Sequence, residues 1–151
     1  MAEALPDTLR QALTEILAGS LAADLPEGTQ RRVHGRLALP GKVTAIVGMR
    51  RAGKTTFLHQ LRRERLAQGL PRTHVPCVNF EDERLAGLQG RHLGFLIEEF
   101  GRRVPDGAER GPVMWCFDEI QLVPGWEPFV RRLLDSGGVE VTVTGSSAAL
   151  L

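Results

Sequence analysis

Apolar positions recur along this chain in two periods, one helical and one strand-like, and the order of those periods predicts the architecture. Near the start, Leu9, Ala12, Leu13, Ile16, Leu17 and Leu21 fall at helical spacing behind Pro6, with Asp7 positioned to cap the helix. Residues 24–32, broken by Pro26 and Gly28, read as a connector, and residues 36–39 as a short strand before the Pro40-Gly41 turn. Strand-like runs then follow at 43–48, 75–80, 113–118 and 139–144, separated by helical patterns at 54–68, 91–103 and 127–136. Apolar strands alternating with amphipathic helices predict an α/β fold with a mostly parallel sheet covered on both faces. Gly69 is placed to end the helix at 54–68, and Leu93, Leu96, Ile97 and Phe100 form an apolar stripe that belongs in a core. The polar, glycine-rich segment 104–112 is expected to be exposed and tolerant of change.

Composition narrows the class without identifying a function. The 151 residues are 42% hydrophobic and 25% charged, the balance of one soluble globular domain with its own core. A formal net charge of +1 gives no global electrostatic case for nucleic acid, an acidic partner or a membrane surface, so any such contact must be local. Cys77 and Cys116 each lie within an apolar run and are expected to be reduced and buried rather than bridged or metal-bound. The amino-terminal segment carries acids and lacks the pattern of a secretory leader, and no apolar stretch approaches the ~20 residues that span a bilayer. A cytoplasmic protein is the resulting expectation.

Chemistry enters with GMRRAGKT, which begins at Gly48. A bound triphosphate needs several backbone N–H groups converging on its oxygens, so the chain must wrap closely before entering a helix. The spacing G-x-x-x-x-G-K-[ST] is met by Gly48, Gly53, Lys54 and Thr55, directly after an apolar strand and before a helical pattern. Lys54 is predicted to reach the β- and γ-phosphates, the Thr55 hydroxyl to join a Mg²⁺ shell, and the loop, with Arg51, Ala52 and Thr56, to cradle the nucleotide. Arg50 and Arg51 occupy variable loop positions, exposed to solvent or turned to a neighbouring subunit, a nucleic acid or the nucleotide itself.

A second cluster lies downstream. The run VMWCFDEI ends in two carboxylates, which is costly unless they emerge at the sheet's carboxyl edge, where open α/β sheets bind ligands. Asp118 is then the predicted metal residue, and Glu119 the group that polarises an attacking water. No Asn-Lys-x-Asp guanine-recognition run occurs, which favours ATP over GTP.

With GMRRAGKTT, VNFEDERL, FDEIQLVPGWE and VTVTGSSAALL in this order, the chain resembles AAA-type P-loop ATPases over about residues 40–151. It is similar in particular to prokaryotic ATPases whose AAA core precedes a carboxyl-terminal domain of unknown function. The resemblance implies a P-loop NTPase three-layer sandwich preceded by a helix and connector at 1–39. In that sheet the cradle strand neighbours the fourth strand, then the third, then the second. It implies a polar γ-phosphate sensor after the fourth strand, for which Ser146 is the best positional match, ahead of Ser147 and Thr144, unless Ser146 or Ser147 serves to cap a following helix. It puts Asn79 near Glu119, and leaves Glu81 and Asp82 either lining the cation site or exposed. A fifth strand, helical lid and arginine finger are expected beyond Leu151, so the chain reads as truncated. Its arginine finger would come from a homo-oligomer or partner, with slow or absent turnover without it. The alternatives are a small P-loop phosphotransferase and a nucleotide-binding fragment that does not hydrolyse.

Overall fold

A computed structural model describes residues 4–25, 43–48 and 53–146. The elements are α1 (Asp7–Ala22), β1 (Val43–Gly48), α2 (Lys54–Ala67), β2 (Cys77–Asn79), α3 (Gly94–Arg103), β3 (Val113–Asp118), α4 (Trp126–Asp135) and β4 (Val139–Ser146), with short 3₁₀ turns between some of them. The strands form one parallel sheet in the order β1-β4-β3-β2, the order that the resemblance implied. The expected strand at 36–39 lies outside the described residues.

β3 is the centre of the fold because every one of its residues is buried. Alternation sends Val113, Trp115 and Phe117 into a core with α1, α3 and α4, while Met114 and Cys116 join Phe57, Leu58 and Leu61 of α2 on the other face. Trp115 is 2% exposed and packs edge-on to Phe100 and stacked with Phe117, so the aromatic payload is concentrated beneath the strand that ends in the acidic pair. β1 lies at one edge of the sheet among the described residues, and its Val47 remains 40% exposed.

Four sequence expectations shift for local physical reasons. Asp7 is the first helical residue rather than the cap. Pro6 holds the cap position, and no side-chain cap bond forms, although an acid in the first turn still complements the helix dipole. The strand expected at 75–80 shrinks to Cys77–Asn79, because Pro76 has no N–H to give the ladder and Asn79 Oδ1 accepts from the Glu81 amide, turning the chain. The segment 104–112 is not uniformly exposed. Val104 is buried, residues Gly107–Arg110 form a 3₁₀ turn, and the fully buried His74 donates from Nε2 to the Gly107 carbonyl at 2.8 Å.

The helix expected at 91–103 is split into a 3₁₀ turn, Gly90–His92, and α3. Gly90 has a steric reason to be glycine, since a Cβ there would lie 1.8 Å from the Gly125 carbonyl oxygen. That close approach fastens the turn before α3 to the start of α4, where Trp126 packs partly buried against the core.

α1 packs its buried Leu9, Ala12, Leu13 and Leu17 into the same apolar cluster as β3. Ser20 Oγ accepts from the Cys77 amide at the free edge of β2, and Arg72 donates to the Ala22 and Ala23 carbonyls, meeting the exposed end of the helix with positive charge. Both cysteines are free and are register partners across β2 and β3; Cys116 is buried and Cys77 partly so. Burial pushes the Cys77 thiol up to about 11, which keeps it protonated and unreactive at neutral pH.

Candidate nucleotide site

The parallel register brings Gly48, Ser146, Asp118 and Asn79 to the same carboxyl edge of the sheet. Gly53, at φ +84°, takes the left-handed conformation that lets the chain leave the loop and enter α2 immediately. Lys54 is therefore the first residue of α2. It is 7% exposed, and its Nζ donates to the Gly48 carbonyl at 3.1 Å and pairs with Glu119 Oε1 at 3.1 Å.

Thr55 Oγ1 donates to Asp118 Oδ2 at 2.8 Å, although the two residues stand far apart in sequence on separate elements. The other oxygen of Asp118 accepts from Thr144 Oγ1, and that hydroxyl in turn accepts from the Glu119 amide at 2.9 Å. Thr144 thus braces the acidic pair from the middle of β4. Asp118 is 1% exposed, yet the side-chain hydrogen bonds it accepts among the described residues come from hydroxyls and none from a cation. A buried carboxylate in that position is costly without a positive partner, and its donor set suits a hard, oxygen-seeking cation. Among the described residues no group of three or more His, Cys, Asp or Glu side chains could hold a metal ion, so a cation here would rely on ligand oxygens as well as Thr55 and Asp118.

Glu119 is the sole non-glycine residue with positive φ among the described residues, at +55°. This left-handed kink ends β3 and starts the 3₁₀ turn Ile120–Leu122, and it brings Gln121 back over Glu119. Gln121 Nε2 donates to Glu119 Oε2 at 2.5 Å.

Of the sequence-predicted residues, Gly48, Gly53, Lys54, Thr55, Asp118, Glu119 and Ser146 gather at this edge, with Thr56 exposed on the first turn of α2. Arg51, Ala52 and Ser147 lie outside the described residues. Asn79 is not seen to hold Glu119: its side-chain oxygen is used by the Glu81 amide, and Lys54 and Gln121 are the groups on Glu119. Asp82 is bound by Arg84 at 2.8 Å, which holds its carboxyl below the usual range, so it is engaged in a local ion pair. Gln121 entered the sequence reading only as part of the run FDEIQLVPGWE, with no role of its own, and Thr144 was ranked below Ser146. The signal for Gln121 was a polar residue two places past the glutamate, between two apolar ones, but only the left-handed turn at Glu119 gives that spacing meaning.

A cavity of about 330 Å³ opens beside Thr55 and Asp118, walled by Ile16 and Ser20 of α1 and by His59 and Arg62 of α2. Arg62 is 4% exposed and donates to the Val75 carbonyl at 2.8 Å, with its Nη1 3.0 Å from His59 Nδ1. An arginine can only donate, so Nδ1 is the acceptor and the ring is neutral. Burial first, and the Arg62 charge second, hold His59 below its ordinary 6.5, with Asp118 opposing. The unfolded chain therefore binds this proton more readily than the folded one. The stability contributed by the neutral ring is complete above about pH 6.5 and is lost as the pH falls towards the folded value. Urea midpoints measured from pH 7 to 5 are expected to fall more steeply for the native chain than for His59→Gln; equal slopes would remove the assignment.

The sheet order, the glycine-framed loop before α2 and the acids at the end of β3 define a P-loop NTPase-type α/β protein. The chain belongs to the AAA domain family, which matches residues 40–151. Membership points to nucleotide binding of the ATPase type. An uncharacterized protein of Methanocaldococcus jannaschii is 37% identical over 113 residues, 75% of this chain and 23% of that protein. An uncharacterized protein of Haemophilus influenzae is 32% identical over 110 residues, 72% of this chain and 26% of its own length. The chain thus spans about a quarter of the length of the curated relatives it matches. No solved structure matches it. Among the described residues no helix is long and apolar enough to cross a membrane.

Proposed function

We propose that the chain binds ATP with Mg²⁺ and hydrolyses it slowly, as the switch element of a larger ATPase. The observation that carries this reading is the Thr55–Asp118 contact of 2.8 Å, a hydroxyl and a buried carboxylate delivered from separate elements to one point. Lys54 turns from Glu119 to the phosphates, and the main chain of the loop, with Gly48, Arg51, Ala52, Gly53 and Thr56, surrounds them. Thr55 and Asp118 hold the cation, and Ser146, beside Gly48 at the end of β4, reads the terminal phosphate. When bound, Mg²⁺ supplies charge neutralisation at the phosphate oxygens. Glu119, freed of Lys54, accepts a proton from water. Slow turnover follows because an arginine finger, supplied by an oligomer or partner, contributes ~10³ to 10⁵ in rate.

The cavity beside Thr55 and Asp118 favours a second reading, a phosphotransferase whose acceptor occupies it. Calorimetry with ATP, GTP and ADP tests the first reading: ATP is expected to bind tightest, and more weakly after Mg²⁺ is chelated. No heat with any nucleotide would overturn both. Phosphate release without an added acceptor supports hydrolysis over transfer.

A further inference from the structure

We infer that Gln121 is a positioning residue for Glu119, the group that keeps this carboxylate aimed once Lys54 has left it; the inference rests on the hydrolytic reading above. Three costs meet at this point. Glu119 holds a left-handed backbone that a side chain disfavours, and its carboxylate is buried at 7% exposure. Gln121 Oε1 is buried with no hydrogen-bond partner among the described residues, while the nitrogen of the same amide is given to Glu119. Reversing that amide would set an oxygen against a carboxylate, so the donor must face Glu119. The side chain thus leaves its own oxygen unsatisfied in order to hold Glu119, and an orphaned buried acceptor in a folded protein calls for such an explanation.

The arrangement of donors decides why a second one is needed. Among the described residues Glu119 has two, Lys54 on Oε1 and Gln121 on Oε2. The phosphates compete for Lys54, because it directly follows Gly53 at the head of α2. Once it moves, Gln121 is the donor that still holds the carboxylate among the described residues, from the 3₁₀ turn Ile120–Leu122 that follows β3. A base held by one amide from a rigid turn keeps its direction, whereas a base held by none samples rotamers and loses productive geometry.

The test uses Gln121→Leu, which keeps the bulk and deletes the donor, and Gln121→Glu, which is isosteric and repels Glu119. Single-turnover hydrolysis is expected to fall ~30-fold in Gln121→Leu, part of the ~10² to 10⁴ that a positioned base supplies. Affinity for MgATP should stay within about threefold, and affinity for the transition-state mimic ADP–fluoroaluminate should fall about as much as the rate. Gln121→Glu should behave likewise, and it decides the matter if the leucine variant does not fold. Variants that bind the mimic and hydrolyse as the native chain does would overturn the role of Gln121 alone. Equal losses of ATP and mimic affinity would also overturn it, by showing a merely structural residue. A native chain that binds no MgATP would instead remove the hydrolytic reading on which this one stands.

Discussion

Replacing Lys54 by alanine is expected to lower affinity for MgATP by ~100-fold or more, the scale of removing one partner from a desolvated, hydrogen-bonded charge pair. Lys54 sits at the head of α2, 7% exposed, and among the described residues its ammonium contacts the Gly48 carbonyl and Glu119. The same substitution strands Glu119, which is left buried with Gln121 as its remaining donor. The fold should lose about 3 kcal/mol, the lower end for a buried pair broken on one side. The two effects can be separated. In Lys54→Ala/Glu119→Gln the uncompensated charge is gone, so urea unfolding should recover most of the stability while calorimetry still finds no tight ATP binding. If the double variant regained affinity along with stability, Lys54 would be a structural cation and the cradle reading would fall.

How far the sequence led is clearest at β3. A run of five apolar residues ending in two acids reads as a strand buried on both faces, and the structure gives the strand the expected limits, 113–118. The sheet order came through the resemblance, because parallel crossovers leave no local trace of which strand is adjacent to which. What stayed hidden depends on backbone handedness or on contacts between distant segments. Pro76 shortened a strand whose hydrophobicity alone argued for more residues. Ser20, read only as part of an amphipathic helix, satisfies the Cys77 amide at the sheet edge. Gln121 reaches Glu119 because one glutamate takes φ +55°, a conformation that no residue type at that position announces. The placement of Lys54, Thr55, Asp118 and Glu119 around one sheet edge was legible from type and spacing, whereas the groups that contact them became visible only once the chain was folded.

Glu119→Gln should keep MgATP bound and stop its turnover, with single-turnover phosphate release falling by ~10² to 10⁴, the usual contribution of a positioned general base. The substitution is mild for the fold. Its amide oxygen can accept from Lys54 as Glu119 does now, and its amide nitrogen can donate to Gln121 Oε1 once that side chain reverses, so the bond between the two side chains is kept. Removing the carboxylate also weakens the rival for Lys54, so ATP affinity should hold or rise, in contrast to Lys54→Ala. An interaction lost only in the transition state lowers kcat and kcat/KM together, and that signature separates the base from a binding residue. Because the unassisted reaction is slow, the measurement needs radiolabelled ATP with protein in excess. Hydrolysis by Glu119→Gln at the native rate would mean that another group activates the water, and the role assigned to Glu119 would fall.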